Sequence, residues 1–113
     1  MNTLSKPDID KNFGKILRDF RIKNKLTQEQ LSEKLGISLK YISRIENGNN
    51  GVKTQTLIKY MNILGLPPNT IYAPFITNKE AAKDIEISQK LFSLSNEKKD
   101  FISAMIDLVK TLD

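Results

Sequence analysis

The chain contains no cysteine, histidine or tryptophan among its 113 residues. Without cysteine it can form no disulfide framework, zinc ribbon or thiol nucleophile. Without histidine it lacks the commonest general base and the usual metal ligand. These absences exclude hydrolytic triads and most transition-metal sites. We therefore expect a protein that is not an enzyme and that holds no metal or cofactor.

The sequence also lacks a long apolar run and a secretory signal. Its unbroken apolar stretches are only a few residues long, whereas a membrane-spanning helix needs roughly 20. Residues 1–10 do not show the basic region followed by an apolar region that a secretory signal has. These features predict a soluble protein of the cytoplasm that has no membrane partner.

Positive charge is concentrated in the first two thirds of the chain. Residues 1–78 hold 12 basic and 6 acidic side chains, a net charge of +6, whereas residues 79–113 hold 6 and 7, a net charge of −1. A basic region indicates a polyanionic partner, with nucleic acid as the first candidate. Ordinary soluble proteins often carry a surplus of this size, so the charge alone does not decide the function.

Hydrophobic residues recur at helical spacing along the chain, and strand-like alternation is scarce. After a loose tail over residues 1–7, the pattern predicts five helices within residues 8–76, with caps at Asp8, Thr27, Ser38 and Thr54. Two further helices are predicted over residues 80–92 and 97–112. The side chains predicted to face the core of the first five helices are Phe13, Ile16, Leu17, Phe20, Leu31, Leu35, Ile37, Ile42, Ile45, Leu57, Ile58, Met61, Leu64, Ile71 and Tyr72. The boundary between two domains is predicted after residue 78.

Residues 28–47 have the pattern of two short helices joined at a tight corner. Thr27 and Gln30 form a capping box at the start of the first helix. Gly36 supplies the left-handed conformation that ends this helix, and Ile37 follows as a buried plug. This helix-turn-helix leaves the outer face of residues 39–47 projecting as a ridge. Such a ridge fits the DNA major groove, which is about 12 Å wide.

Residues 26–38 (LTQEQLSEKLGIS) and 41–48 (YISRIENG) resemble the phage-repressor family of helix-turn-helix proteins, of Cro or XRE type. The resemblance covers roughly residues 13–75 and departs from the family at Ser32, where alanine is usual, and after the 49–53 loop, where proline is missing. It implies an all-α fold, in which a five-helix lambda-repressor-like DNA-binding domain precedes a two-helix carboxyl-terminal extension. The implied function is that of a bacterial transcriptional regulator, a repressor, which binds double-stranded operator DNA in a sequence-specific way.

The resemblance also implies which residues contact DNA. Gln28, at the start of the second helix, matches a phosphate contact through its side chain or the positive helix end. The residues that match base-edge contacts are Ser38, Leu39, Lys40, Ser43 and Arg44. Those that match backbone contacts are Tyr41, Asn47, Asn49 and Lys53. Arg21 and Glu46 match a buried pair that ties the first helix to the end of the third.

Each of these assignments has a structural alternative. Lys40 and Arg44 could form an ordinary solvated helix face, and Gln28 could be a plain surface residue. Leu39 could seal the turn, and Tyr41 could pack beneath the first helix. The sequence motif favours DNA contact for Lys40 and Arg44. It does not decide whether Tyr41 contacts DNA or packs beneath the first helix.

The last helix is too apolar to stand alone in water. Phe101, Ile102, Met105, Val109 and Leu112 form a stripe that predicts self-association as a homodimer. A head followed by two helices is similar to the SinR-type layout of bacterial repressors. In one alternative these helices only enlarge the core. In others they bind a regulatory protein partner, or a toxin if the chain is an antitoxin-type interaction module.

Overall fold

The computed structural model describes residues 4–112, which fold into seven α-helices and one 3-10 turn with no strand among them. This architecture confirms the predicted all-α fold. The elements are α1 (Lys6–Lys23), α2 (Gln28–Leu35), α3 (Leu39–Glu46), α4 (Thr54–Leu64), α5 (Pro68–Tyr72), the 3-10 turn Ala73–Phe75, α6 (Lys79–Leu91) and α7 (Asn96–Val109). The chain divides into two compact units, the first ending at Ile76 and the second beginning at Thr77. Within the described residues, no helix combines the length and apolarity needed to cross a membrane.

Four helices begin differently from the prediction: α6 and α7 start one residue earlier, and α1 and α4 differ at their caps. Helix α7 also ends at Val109, so the predicted helix over residues 97–112 is too long. Helix α1 starts at Lys6, because the Ser5 Oγ accepts a hydrogen bond from the Asp8 amide at 3.3 Å and Pro7 suits a first helical turn. The predicted cap at Asp8 is therefore wrong, and the predicted tail is helical from Lys6; residues 1–3 lie outside the described residues. In α4, Thr54 already belongs to the helix and Lys53 occupies the cap position, so the predicted cap at Thr54 is wrong too.

The first unit packs around nine buried hydrophobic residues. They are Leu17, Leu31, Leu35, Ile42, Ile45, Leu57, Tyr60, Leu66 and Ile71. Ile58 was predicted to face inward but is 47% exposed, because the buried face of α4 runs through Thr56, Leu57 and Tyr60. Tyr72 was also predicted inward and is exposed, although its ring meets the ring of Phe13 edge-on at a centroid distance of 6.0 Å.

Tyr60 is completely buried, and its hydroxyl has no hydrogen-bond partner among residues 4–112. Burial raises the pKa of this hydroxyl, and the negative charge of Glu46 raises it further. An unfolded tyrosine loses its proton near pH 10, at roughly its ordinary pKa. Folding therefore favours the neutral phenol, and the stability linked to Tyr60 is present below about pH 10 and is lost as the pH rises above it.

We expect Tyr60→Phe to abolish this part of the alkaline destabilisation. Above about pH 10, the unfolding free energy of the variant should exceed that of the wild type. The difference should grow by up to about 1.4 kcal/mol per pH unit. Urea denaturation of both proteins between neutral and strongly alkaline pH measures the difference, and lysine titration cancels because both chains share the same lysines. If the difference in unfolding free energy between the two proteins does not change with pH, folding does not keep the Tyr60 hydroxyl neutral.

The second unit consists of two capped helices and a short turn. The Asn78 Oδ1 accepts a hydrogen bond from the Ala81 amide at 3.0 Å at the start of α6, and the Ser95 Oγ accepts one from the Lys98 amide at 3.3 Å at the start of α7. Neither helix contains a buried residue. The large apolar side chains exposed on this unit are Ile87, Phe92, Phe101, Met105, Ile106, Leu108, Val109 and Leu112. Much of the apolar surface of α7 is therefore open to solvent.

Candidate nucleic-acid interface

Local hydrogen bonds fix the corner between α2 and α3. The Thr27 Oγ1 accepts from the Gln30 amide at 3.0 Å while the Gln30 Oε1 accepts from the Thr27 amide at 2.9 Å, which confirms the predicted capping box. Gly36 ends α2 at a φ of 63°, and its left-handed conformation is the one that glycine adopts at least cost. The Ser38 Oγ then accepts from the Tyr41 amide at 3.1 Å and starts α3. The corner therefore holds the two helices with little freedom.

A further hydrogen bond explains the serine that departs from the family pattern. The Ser32 Oγ donates to the carbonyl oxygen of Ile37 at 2.5 Å. This contact joins the middle of α2 to the segment that leads into α3. Ser32 thus remains small enough for close packing and adds a bond across the corner that alanine cannot form.

Helix α3 has one buried face and one open face. The residues of α3 that are buried within the first unit are Ile42, Ile45 and Glu46. The opposite face forms an open ridge on which Ser43 is half-buried and the exposed residues are Ser38, Leu39, Lys40, Arg44 and Asn47. Lys40 and Arg44 lie one helical turn apart on this ridge, as their i, i+4 spacing requires. The residues predicted to read base edges are therefore brought together on one face.

Glu46 is the centre of a buried polar cluster that joins three helices. The Arg21 Nε donates to the Glu46 Oε2 at 2.8 Å and the Arg21 Nη2 donates to the Glu46 Oε1 at 2.9 Å. The Arg21 Nη1 donates to the Leu26 carbonyl at 2.8 Å. The hydrogen bond to Glu46 raises the pKa of Arg21, although burial opposes this effect. This bidentate pair links α1 to the last turn of α3.

Gln28 is part of the same cluster. Its Nε2 donates to the Glu46 Oε1 at 3.1 Å, and the residue is half-buried. The sequence motif predicted a phosphate contact for Gln28 and gave no sign of this internal hydrogen bond. Because Glu46 lies 18 residues further along the chain, local spacing alone could not have indicated it.

Tyr41 fastens the loop that follows α3. Its hydroxyl accepts a hydrogen bond from the Lys53 amide at 2.8 Å, and its ring packs against the core. The Lys53 Nζ lies 5.9 Å from the centre of the same ring, within the range of a cation–π interaction. Of the loop residues predicted to contact the DNA backbone, Asn47, Asn49 and Lys53 are all exposed. All three side chains are therefore open to solvent next to the segment that Tyr41 holds.

Gly14 permits a close approach between α1 and the end of α3. A Cβ atom on Gly14 would overlap the carbonyl oxygen of Ile45 and would lie 3.3 Å from the Gly48 amide nitrogen. Gly14 was not among the residues predicted to matter for this packing. Its signal was available, because an isolated glycine inside an amphipathic helix often marks a close backbone contact.

Comparison with known proteins identifies this part of the chain. Residues 17–71 match the helix-turn-helix family. Over 57 residues the chain is 46% identical to the HTH-type transcriptional repressor RghR of Bacillus subtilis (strain 168), which covers 50% of this chain and 42% of the relative. Over 62 residues it is 42% identical to the uncharacterized HTH-type transcriptional regulator RghRB of the same organism, which covers 54% and 45%. The matched segment thus spans less than half the length of either relative. Together with the capped corner and open ridge, these matches show that residues 17–71 form a helix-turn-helix domain similar to those of the two HTH-type regulators.

Proposed function

We propose that this protein is a DNA-binding transcriptional regulator, a repressor, that inserts α3 into the major groove of operator DNA. The observation that carries the proposal is the open ridge of α3, which presents Lys40 and Arg44 while Ile42, Ile45 and Glu46 anchor its other face. A helix with its side chains is about 10–12 Å across, and the major groove is about 12 Å wide. The likeness to the repressor RghR supports the same function.

The ridge has the chemistry of base recognition. Lys40 and Arg44 donate to the O6 and N7 atoms of guanine, and the exposed Leu39 contacts a thymine methyl group. Ser38 and Ser43 add short hydroxyl groups that accept or donate according to the base. Because the opposite face of α3 is fixed in the core, these side chains meet the groove in one register.

Residues flanking the ridge bind the DNA backbone in this proposal. Asn47, Asn49 and Lys53 contact phosphates on one side of α3, where Tyr41 holds their loop in place. Gln28 contacts a phosphate on the other side through the amide groups at the start of α2, since its side chain is bound to Glu46. These contacts set register and supply most of the salt-dependent affinity.

Repression follows from occupancy in this proposal. Two copies of the chain, joined through their carboxyl-terminal helices, occupy two half-sites about 34 Å apart, one turn of the duplex. A dimer bound across a promoter excludes RNA polymerase from it. This mechanism places the protein in the cytoplasm with its DNA, and it needs neither a cofactor nor an enzymatic step.

Selection of bound duplexes from a random pool tests the function and supplies the operator. We then expect Arg44→Ala to cost about 1–3 kcal/mol at one base-pair position and to relax the preference there. Lys53→Ala should instead weaken binding to all sequences equally and lower the salt slope by about 1. Fluorescence anisotropy titrations over a range of salt, on the selected and scrambled duplexes, measure both effects.

Lys34→Ala provides the control, because Lys34 is exposed on α2 and lies outside the proposed interface. It should change neither the base preference nor the salt slope. If Arg44→Ala leaves both affinity and preference unchanged, the orientation proposed for α3 is wrong. If no sequence is enriched and scrambled duplexes bind as well as any other, the protein is not a sequence-specific regulator.

A further inference from the structure

The first turns of α1 pack against the loop between α3 and α4. A Cβ atom on Gly48 would lie 2.9 Å from the Cα of Lys11, and one on Gly51 would lie 3.2 Å from the Asp10 Oδ1. Gly48 leaves no room for a side chain and lets the α1 backbone approach the loop directly, whereas a Cβ on Gly51 would require the Asp10 carboxylate to shift by only a few tenths of an ångström. This contact places the amino-terminal end of α1 beside the residues proposed to bind phosphates.

Lys6 lies beside the same loop and forms an ion pair with Asp10. Its Nζ lies 2.7 Å from the Asp10 Oδ2 and 3.6 Å from the position of a Cβ on Gly51. The two side chains differ sharply in exposure, at 79% for Lys6 and 12% for Asp10. The carboxylate therefore lies on the protein side of the pair and the ammonium group on the solvent side.

We propose that Lys6 is an additional DNA-phosphate contact, which extends the interface from the α3–α4 loop onto α1. An ammonium group has three donors, and Asp10 uses one of them, which leaves two that can reach a phosphate oxygen. Because the ion pair with Asp10 already restricts the Lys6 side chain, less side-chain entropy is lost on binding than for an unpaired lysine. The inference rests on the proposed function, since it assumes that the loop faces the duplex.

The same helix carries a matched control. Lys15 and Asp19 form an ion pair with the same i, i+4 spacing and the same 2.7 Å distance. Their side chains are 76% and 55% exposed, so this carboxylate is not enclosed as that of Asp10 is. Helical geometry puts Lys15 about half a turn away from the face that carries Lys6 and Asp10.

The experiment measures binding of the full chain to a mixed-sequence duplex over a range of salt. Lys6→Gln should weaken binding roughly 3- to 10-fold at moderate salt and lower the salt slope by about 0.9. The double variant Lys6→Gln/Asp10→Asn restores the net charge and should still show the lowered slope. Lys15→Gln should bind with the wild-type slope.

Three results would overturn the inference. Lys6→Gln and Lys15→Gln could lower the slope equally, or the double variant could restore it; either would mean that net charge and not contact determines binding. In the third result, Lys53→Ala lowers the salt slope but Lys6→Gln does not. The proposed function would then stand, and the proposed contact of Lys6 would be wrong. A wild-type chain that binds no duplex would overturn the proposed function and this inference together.

Discussion

Replacing Arg21 by methionine is expected to lower the free energy of unfolding by about 3–5 kcal/mol at neutral pH. The Glu46 side chain is only 1% exposed and receives two charge-assisted hydrogen bonds from Arg21, at 2.8 and 2.9 Å. Methionine fills much of the space of the arginine but donates nothing, so the carboxylate stays buried with the amide of Gln28 as its remaining side-chain donor. A small domain is stable by only about 5–15 kcal/mol, so this loss is a large share of the total.

Urea denaturation of the wild type and of Arg21→Met measures the effect, and Arg21→Met/Glu46→Leu is the control. The double variant removes both charges, and replacing a whole buried pair by apolar side chains is often neutral in stability. We therefore expect the double variant to regain most of the loss. A loss below about 1 kcal/mol in Arg21→Met would contradict the prediction, because it would equal the value of an exposed ion pair.

The ends of the central helices were predictable because local chemistry determines them. The hydroxyl and amide of Thr27 and Gln30 satisfy amides within one turn, and Gly36 ends α2 through its own backbone conformation. Ser38 was likewise predicted as the cap of α3. Each signal involves residues no more than three positions apart, so the sequence contains all the information that the structure needs there.

Burial in the core was predicted less well, because it depends on contacts between distant segments. Tyr60 is completely buried but was not among the residues predicted to face the core, whereas Ile58 was predicted inward and is exposed. Periodicity identifies the apolar side of a helix but not the exact angle at which neighbouring helices cover it. The structure settles that angle for α4. Leu66, in the segment that follows α4, also joins the core.

For the candidate interface, the exposed ridge of α3 could be predicted from the sequence, but the residues around it could not. The exposure of Lys40 and Arg44 follows from the helical period once Ile42 and Ile45 are placed inward. Their role in DNA binding stays a prediction that the base-preference experiment tests. Lys6 was missed, because the cap at Ser5 was missed and the first turn of α1 was assigned to the tail. A helix start without a hydrophobic residue in its first turn leaves little trace in the apolar pattern.

The largest expected effect on DNA binding comes from the carboxyl-terminal helices. We expect the full chain to be a homodimer and a chain ending at Asn78 to be a monomer, with operator affinity lower by about 100-fold or more. Phe101, Ile102, Met105 and Val109 of the apolar stripe lie on α7, where no residue is buried, whereas Leu112 follows the end of the helix and is exposed. A second copy of the helix would cover this apolar surface, and joining two heads makes the second half-site contact intramolecular.

Light scattering gives the oligomeric state, and titration with the selected duplex gives the affinity. A second variant, Met105→Glu/Val109→Glu in the full chain, keeps both helices and adds charges to the stripe, so it should also be monomeric and bind weakly. An operator with one half-site serves as the control, because the truncated and full chains should bind it with similar affinity. A truncated chain that keeps the full-length oligomeric state would contradict the dimerisation role. A full chain that is monomeric, but that forms a one-to-one complex with another protein through residues 79–113, would favour the antitoxin-type alternative, because the stripe would then be the surface for a different partner.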